Sequence, residues 1–238
     1  MPELVSVKEG ANPKVVEMFD RISSTYDKLN RFFSLGVDRL WRRAAVKSLA
    51  LGPRMRVLDC SAGTGDMAFE AHRQCSDVHT TLFDPSAKML KLADEKAKRL
   101  QITAYALKCG AAERIDAADQ SYDRFMVAFG IRNFQDLGTG LTELYRVLKP
   151  GGKGVILEFT PDRSKFIDKV FKTYMWWVMR PVGGAVSDDR EAYKYLAETI
   201  QRFPASTTLI AKFHAAGFSK VEATPLSFGI ATRFLLTK

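Results

Sequence analysis

A short apolar run ending in a glycine-containing turn is the segment of this 238-residue chain best suited to bind a ligand. Residues 57–60 lead into Ser-Ala-Gly-Thr-Gly, where Gly63 and Gly65 can adopt positive φ and present no side chain to obstruct a ligand. Asp84 ends the next apolar run, 25 positions after Asp59. In doubly wound folds an acid at this place accepts hydrogen bonds from ribose hydroxyls. The pattern predicts a nucleotide-like ligand.

The spacing of the acid and the glycines separates two classes of such ligand. Dinucleotide enzymes place G-x-G-x-x-G around a pyrophosphate, whereas here Asp59 precedes Gly63 and Gly65 in the order Asp-x-x-x-Gly-x-Gly. S-adenosylmethionine has no phosphate and carries a cationic amino group and a sulfonium, so an acid at a strand end suits it better than it suits a pyrophosphate. Taken alone, the turn is equally compatible with a tight strand-to-helix connection that binds nothing.

Four further motifs are distributed along the chain. They are Tyr26-Asp27-Lys28-Leu29-Asn30 with Ser34 and Trp41, Phe129-Gly130-Ile131-Arg132-Asn133, the run 146–152 leading to Glu158, and the run 193–200. On these motifs the chain resembles the ubiquinone/menaquinone C-methyltransferase family (UbiE/MenG) from about residue 15 to its end. The Lys-Pro-Gly-Gly turn within 146–152 is shared by many methyltransferases, so the Tyr-Asp and Gly-Ile-Arg-Asn elements carry most of the specificity.

The resemblance implies methylation of a ring carbon in a prenylated quinol, with S-adenosylmethionine as cofactor. The substrate would be demethylmenaquinol or the corresponding benzoquinol. The cofactor-binding residues so implied are Asp59, Gly63, Thr64, Gly65, Asp66, Asp84, Ala111, Ala112 and Ala128, and the catalytic ones are Arg132, Asn133 and Tyr26. Two alternatives are a methyltransferase for another small molecule and a non-catalytic protein that binds S-adenosylmethionine or nucleic acid. Nucleic acid is not expected as a partner, because aromatic-basic motifs of RNA-binding modules are absent from the sequence.

Arg132 and Asn133 acquire a chemical role from this reaction. A quinol is a far better carbon nucleophile once its hydroxyl is deprotonated, and a phenolic hydroxyl has a pKa near ~10 in water. A cation and a donor beside the cofactor would favour the phenolate. Tyr26 and Asp66 are candidates to hold the cofactor or to assist proton removal. The alternatives are that Arg132 caps a helix or pairs with an acid, and that Tyr26 belongs to the core.

The chain also departs from the family pattern. Ser61-Ala62 stands where further glycines are common, and Leu29 and Asp38 replace Met and His. Ala111 stands where Asn or Asp is usual beside the adenine, so a side-chain hydrogen bond is lost there, and Ala128 replaces a common Ser. We expect these changes to affect cofactor affinity more than the reaction class.

Apolar runs and helical periodicities alternate along the chain that must position these residues. This alternation predicts a class I α/β fold, Rossmann-like, in which helices cover both faces of a mostly parallel sheet. Helices are expected within 14–50, a helical insertion at about 164–217, and an antiparallel hairpin at the carboxyl-terminal edge from runs 218–225 and 229–236. We expect residues 1–238 to form a single methyltransferase domain, since 26.7 kDa is short for two.

Composition bounds the cellular setting. Cys60, Cys75 and Cys109 have no disulfide or metal-like spacing, and neither do the three histidines, so no metal is expected and a reducing compartment is favoured. The sequence has no apolar run of the ~18 residues that a span requires and no signal-peptide core at its start, which predicts a cytoplasmic protein. The net charge of +9 favours anionic partners.

One segment combines basic and aromatic residues. Between Arg163 and Arg180, Lys165, Lys169 and Lys172 raise the net charge to +4 and alternate with aromatic side chains. This pattern is typical of a helix lying at a lipid surface, and the expected prenylated substrate favours peripheral contact with the inner membrane surface. A core-facing helix with a solvated basic side, or a contact in a homo-oligomer, is the alternative.

Overall fold

The computed structural model describes residues 10–179 and 190–238. Within them the helices are α1 (Pro13–Phe33), α2 (Val37–Ser48), α3 (Asp66–Gln74), α4 (Ala87–Arg99), α5 (Leu137–Val147), α6 (Lys165–Tyr174), α7 (Arg190–Arg202) and α8 (Ser206–Ala215). A single 3₁₀ turn covers Ile131–Asn133, and a π-helical turn, Met175–Met179, continues α6. The strands are β1 (Arg56–Cys60), β2 (His79–Asp84), β3 (Tyr105–Cys109), β4 (Tyr122–Ala128), β5 (Leu148–Phe159), β6 (Lys220–Leu226) and β7 (Ala231–Thr237).

These strands form one seven-stranded sheet in the order β3-β2-β1-β4-β5-β7-β6. The pairings among β1 to β5 are parallel, as the alternation of strands and helices predicted. β7 lies antiparallel between β5 and β6, so β6 alone forms the edge of the predicted hairpin. Because β1 and β4 are neighbours while β2 and β3 lie on the other side of β1, the chain reverses direction across the sheet beside β1, which is where doubly wound folds bind ligands.

Short polar residues begin the helices that surround this edge. The Ser86 hydroxyl accepts from the Met89 backbone N–H at 3.1 Å and starts α4, and Asp136 starts α5 by accepting from Thr139 N–H at 2.6 Å. Asn12 caps α1 in the same way, with Pro13 at the first helical position. The caps at Ser86 and Asp136 therefore help to hold the loops after β2 and β4 at one edge of the sheet.

Two apolar clusters position the site. The larger one packs α5 and α8 on the sheet, with Phe125, Phe213 and Phe234 fully buried. The second joins α1, the π-helical turn and α7 through residues such as Ile22, Met175 and Ile200. This second cluster forms a layer above the carboxyl edge of the strands. Segment 180–189 of the expected helical insertion and the start of the chain lie outside the described residues, and the single-domain expectation stays a prediction.

Candidate active site

The turn after β1 has the backbone geometry that its glycines allow. Ser61, Gly63 and Gly65 all have positive φ, of 56°, 53° and 85°. A Cβ on Gly65 would lie 2.7 Å from the Phe69 ring, so this position requires glycine to pack against α3. A Cβ on Gly63 would meet nothing within 4 Å. Gly63 therefore presents bare backbone to open space, as expected where a ligand approaches.

Asp84 lies at the end of β2 and faces the same space. Its Oδ2 accepts from Gly63 N–H at 2.8 Å and its Oδ1 accepts from Ser86 N–H at 2.9 Å. Burial raises the pKa of Asp84 to about 6, against these two hydrogen bonds, which lower it. Each carboxylate oxygen can accept a second hydrogen bond, so the group retains acceptors for two ligand hydroxyls.

These residues border a cavity of about 80 Å³. Of the predicted cofactor residues, the structure brings together Gly63, Asp84, Ala111, Ala112 and Ala128 in its wall. Sequence reasoning missed the opposite wall, formed by residues 11–19 at the start of α1, including Val16 and Phe19. The apolar spacing of α1 gave no sign that its face would cover a ligand cavity rather than the core. The volume is below the ~300 Å³ typical of ligand sites and depends directly on where α1 lies.

Four residues predicted to touch the cofactor, Asp59, Thr64, Gly65 and Asp66, do not line this cavity. Asp59 lies behind the turn, where Oδ2 accepts from the Ala68 N–H at 3.0 Å and holds the first turn of α3 against β1. Burial raises the pKa of Asp59 to about 7, mainly because a backbone N–H is a weak substitute for water.

Thr64 and Asp66 belong to a polar network that the sequence did not reveal. Lys96 of α4 contacts Asp66 at 2.8 Å and Asp27 at 2.5 Å, and the Thr64 hydroxyl donates to Asp27 at 2.6 Å. The network ties α1, α3 and α4 together around the turn. Burial opposes ionisation of Asp66, but Arg42 and Lys96 hold its pKa below the usual range, which makes it a poor proton acceptor.

A second cavity, of about 410 Å³, lies under α1, α2, α6 and α7 and the β6–β7 turn. We call it the apolar chamber, since its wall is built mainly of apolar and aromatic side chains, among them Met18, Ile22, Phe33, Trp41, Phe159, Phe171, Met175 and Leu196. Its size lies in the range of sites for small organic ligands. Asp38, which replaces a His of the family pattern, is buried in the wall of this chamber and accepts a hydrogen bond from the Ser34 hydroxyl at 2.6 Å.

The two cavities meet at Phe19, Tyr26, Phe129 and Asn133, which line both. Burial raises the pKa of Tyr26, although Arg132 and Arg42 oppose the rise, so the hydroxyl stays protonated at neutral pH. Tyr26 is therefore suited to donate a hydrogen bond and not to accept a proton as a base. Asn133 Oδ1 accepts from the Tyr195 hydroxyl at 3.3 Å.

Phe129 and Phe19 at this junction were not predicted as site residues. Phe129 directly follows β4 and has φ +59°, a conformation that bulky residues rarely adopt, and its ring stacks on Phe159 at 4.6 Å. Backbone strain of this kind collects at ligand sites. Its position beside the Gly-Ile-Arg-Asn motif was the signal that could have marked it.

Arg132 lines the apolar chamber, but it is paired with an acid. Its Nη1 lies 2.6 Å from Glu158 Oε1, and the two side chains are 4% and 0% exposed. Burial raises the pKa of Glu158, and Arg132 opposes that rise. Pairing with an acid, the alternative that the sequence left open for Arg132, is therefore present, and the cation predicted beside the substrate is one half of a buried ion pair. A glutamate within the apolar run of β5 was a signal for this partner, since such residues are rarely buried without one.

Two polar atoms of this pair remain without a partner. Arg132 Nε and Glu158 Oε2 are buried and make no hydrogen bond to any described residue. A buried, unsatisfied donor costs about 1–3 kcal/mol and asks for an explanation in a native structure. Arg132 also lines the apolar chamber, so the guanidinium of this incompletely satisfied pair borders the space where a ligand would lie.

The sheet order, the glycine turn and the acid ending β2 define the fold of the class I S-adenosylmethionine-dependent methyltransferases. A solved structure of a methyltransferase of this kind from Thermotoga maritima matches with a TM-score of 0.65 at 20% identity, over 93% of this chain and 98% of that one.

The ubiE/COQ5 methyltransferase family model matches residues 6–238, and the chain belongs to that family. The chain is 42% identical to the ubiquinone/menaquinone biosynthesis C-methyltransferase UbiE of Geotalea daltonii, over 92% of this chain and 94% of the relative. It is also 42% identical to the demethylmenaquinone methyltransferase of Deinococcus radiodurans, over 95% and 93%. The resemblance seen in the sequence motifs is confirmed.

Proposed function

We propose that this protein transfers the methyl group of S-adenosylmethionine to a ring carbon of a prenylated quinol. The observation that carries the proposal is the junction of two unlike cavities. One cavity has a ribose-type acceptor and a bare glycine backbone, and the other is mainly apolar and is lined by Arg132 and Tyr26. A transferase needs its two substrates to meet at one point, and Tyr26 and Asn133 border both cavities.

The donor set of the smaller cavity suits S-adenosylmethionine. Asp84 would accept from the ribose hydroxyls, and the apolar surface of Val16, Met89 and Ala111 would pack on the adenine. When bound, the cofactor supplies an electrophilic methyl group on a sulfonium sulfur. Asp59 would act indirectly, by holding α3 and the turn in place.

The apolar chamber suits a hydrophobic substrate with one polar end. Aromatic side chains would pack on the quinol ring and its prenyl tail. The Arg132 guanidinium and the Tyr26 hydroxyl, whose residues both line the chamber, would donate to one ring oxygen. Donors aimed at that oxygen favour its anionic form, which makes the ring carbon a stronger nucleophile. Glu158 would keep the guanidinium fixed, because its carboxylate and the Phe159 N–H define one geometry for the pair.

The names of the relatives leave the ring class open. The Geotalea protein is named for both ubiquinone and menaquinone biosynthesis, and the Deinococcus protein for demethylmenaquinone. The test is to incubate the protein with labelled S-adenosylmethionine and either reduced demethylmenaquinone or a reduced prenylated benzoquinone precursor. Methylation of at least one supports the proposal. Methylation of neither, by a protein that binds the cofactor, would contradict it.

A further inference from the structure

Exposed large apolar side chains are concentrated around the apolar chamber. Among the described residues nine are strongly exposed, and eight of them come from three segments that border the chamber: Phe32, Leu35, Leu40, then Phe166, Val170, Trp176, Trp177, and finally Phe228. Leu35, Val170 and Phe228 also line the chamber, so they mark where it reaches the surface. We call the surface formed by these eight residues the mouth surface. The ninth, Leu100, ends α4 before β3, at the opposite edge of the sheet.

The two tips of the mouth surface combine exposure with backbone strain. Leu35 and Phe228 are 87% and 85% exposed and have φ of +51° and +59°. Bulky residues seldom adopt this left-handed region, where glycine or asparagine is favoured. Neither side chain compensates the strain by burial within the described chain. Because Trp41 Nε1 donates to the Ser227 hydroxyl at 2.9 Å, the turn carrying Phe228 is also anchored to α2. The tips are therefore held outward.

Basic side chains accompany the apolar ones. Lys165 and Lys169 on α6 and Arg39 on α2 are exposed beside Phe166, Val170 and Leu40. Not every basic residue of the segment 163–180 contributes to the mouth surface. Arg163, expected on this surface, is buried, contacts Asp168 at 2.9 Å and lies over the Phe171 ring. Arg180 lies outside the described residues. An apolar surface bordered by exposed cations matches an anionic lipid interface.

We propose that the mouth surface docks on an anionic lipid bilayer, with Leu35, Phe228 and the outer side of α6 entering the interface. This inference rests on the proposed function: in the docked protein the apolar chamber would open toward the acyl chains, where a prenylated quinol resides. A second copy of the chain fits the same surface poorly. A two-fold contact would place the same basic residues, Lys165, Lys169 and Arg39, on both sides of the interface, where like charges repel, and would cover the opening of the chamber.

The test uses the full chain and sedimentation with vesicles of phosphatidylcholine, with or without phosphatidylglycerol. The wild type is expected to bind the anionic vesicles and to lose binding as salt rises. Leu35→Asn with Phe228→Asn should weaken binding at least about tenfold, since two large side chains no longer leave water. Asparagine tolerates positive φ, so folding is preserved at both sites. Leu100→Asn is the matched control and should bind like the wild type.

A charge variant separates docking from catalysis. Lys165→Glu with Lys169→Glu should abolish vesicle binding while leaving turnover on a short-tailed, dispersed quinol unchanged, because neither lysine lines a cavity. Absence of wild-type binding to anionic vesicles, or an equal loss in Leu100→Asn, would overturn the proposal. A dimer in light scattering that the Leu35→Asn and Phe228→Asn changes dissociate would also overturn it and assign the surface to a second copy. Vesicle binding is measured without a quinol, so its result can be interpreted even if the protein methylates neither quinol.

Discussion

Removal of the Arg132 side chain should destabilise the protein as well as inactivate it, because the guanidinium compensates a fully buried carboxylate. Breaking a buried ion pair by deleting one partner costs about 3–5 kcal/mol. For a chain of this size each kcal/mol lowers the melting temperature by about 2–4 °C, so Arg132→Ala should melt roughly 10 °C below the wild type at pH 8. Turnover should fall about 10²–10³-fold, the scale for losing one donor to a developing oxyanion.

The loss of stability should depend on pH in a defined direction. Without the Arg132 guanidinium, only backbone N–H groups, the Phe159 N–H among them, oppose the effect of burial on Glu158, and the pKa of the folded-state carboxyl rises further above the model-peptide value of 4.5. The folded variant then binds more protons than the unfolded chain above about pH 4.5, so its stability falls as pH rises. The deficit relative to wild type should be small near pH 5 and large at pH 8.

A double variant separates the structural and catalytic contributions. Arg132→Met with Glu158→Gln leaves no buried charge and keeps an acceptor for the Phe159 N–H, which donates to Glu158 at 2.9 Å. Its free energy of unfolding at pH 8 should return to within about 1–2 kcal/mol of the wild-type value. Its turnover should stay as low as that of Arg132→Ala. Thermal unfolding at pH 5 and pH 8, with turnover on the same samples, tests both points. Recovered turnover in the double variant would refute a catalytic Arg132, and wild-type melting of Arg132→Ala at pH 8 would refute the ion pair.

Three further predictions follow from the site. Asp84→Asn should weaken S-adenosylmethionine binding about 10- to 100-fold in calorimetry. The pKa of about 6 predicts that wild-type affinity rises between pH 5 and pH 7.5, and this rise should be absent in the variant. A pH dependence that persists in the variant would exclude Asp84 from the cofactor site. Asp59→Asn should stabilise the protein at pH 8 and have little effect at pH 4. Burial raises the pKa of Asp59 to about 7, so wild-type stability falls as pH rises from 4 to 8. Denaturant unfolding that shows no gain in stability at pH 8 would contradict this. Gly130→Ala should lower the free energy of unfolding by about 1–3 kcal/mol and weaken cofactor binding, since its Cβ would lie 2.5 Å from the Ser61 Cβ. In the control Gly138→Ala the added Cβ makes only ordinary contacts. Equal melting temperatures of the two variants would contradict the predicted crowding at Gly130.

The sequence was sufficient for the features that depend on local periodicity. β1 and β2 lie where the apolar run 57–60 and the run ending at Asp84 predicted them, and the alternation of strands and helices predicted the parallel pairing of β1 to β5. Because parallel strands end at one edge, Gly63 and Asp84 could be placed together without a structure. Their hydrogen bond at 2.8 Å follows from that arrangement.

Side-chain partners distant in sequence were not predictable in the same way. Glu158 lies 26 positions from Arg132, and Asp27 lies 37 from Thr64, so the sequence does not identify either partner. The apolar run around Glu158 signals only that this carboxylate needs one. Arg163 was expected to face outward with its neighbouring lysines, but the Asp168 carboxylate and the Phe171 ring hold it inside. A long side chain can reach several nearby partners, and the one that it contacts depends on how the helices and strands pack in the folded protein.

The position of the transferred methyl group tests the central claim most directly. The protein should be incubated anaerobically with S-adenosylmethionine carrying a ¹³C-methyl group and with each reduced prenylated quinone, and the product analysed by carbon NMR. The account predicts a labelled methyl bonded to a ring carbon, with the ring hydroxyls unmodified, and loss of this product in Arg132→Met with Glu158→Gln. A methyl bonded to a ring oxygen, or no labelled quinol from a protein that binds the cofactor, would contradict it.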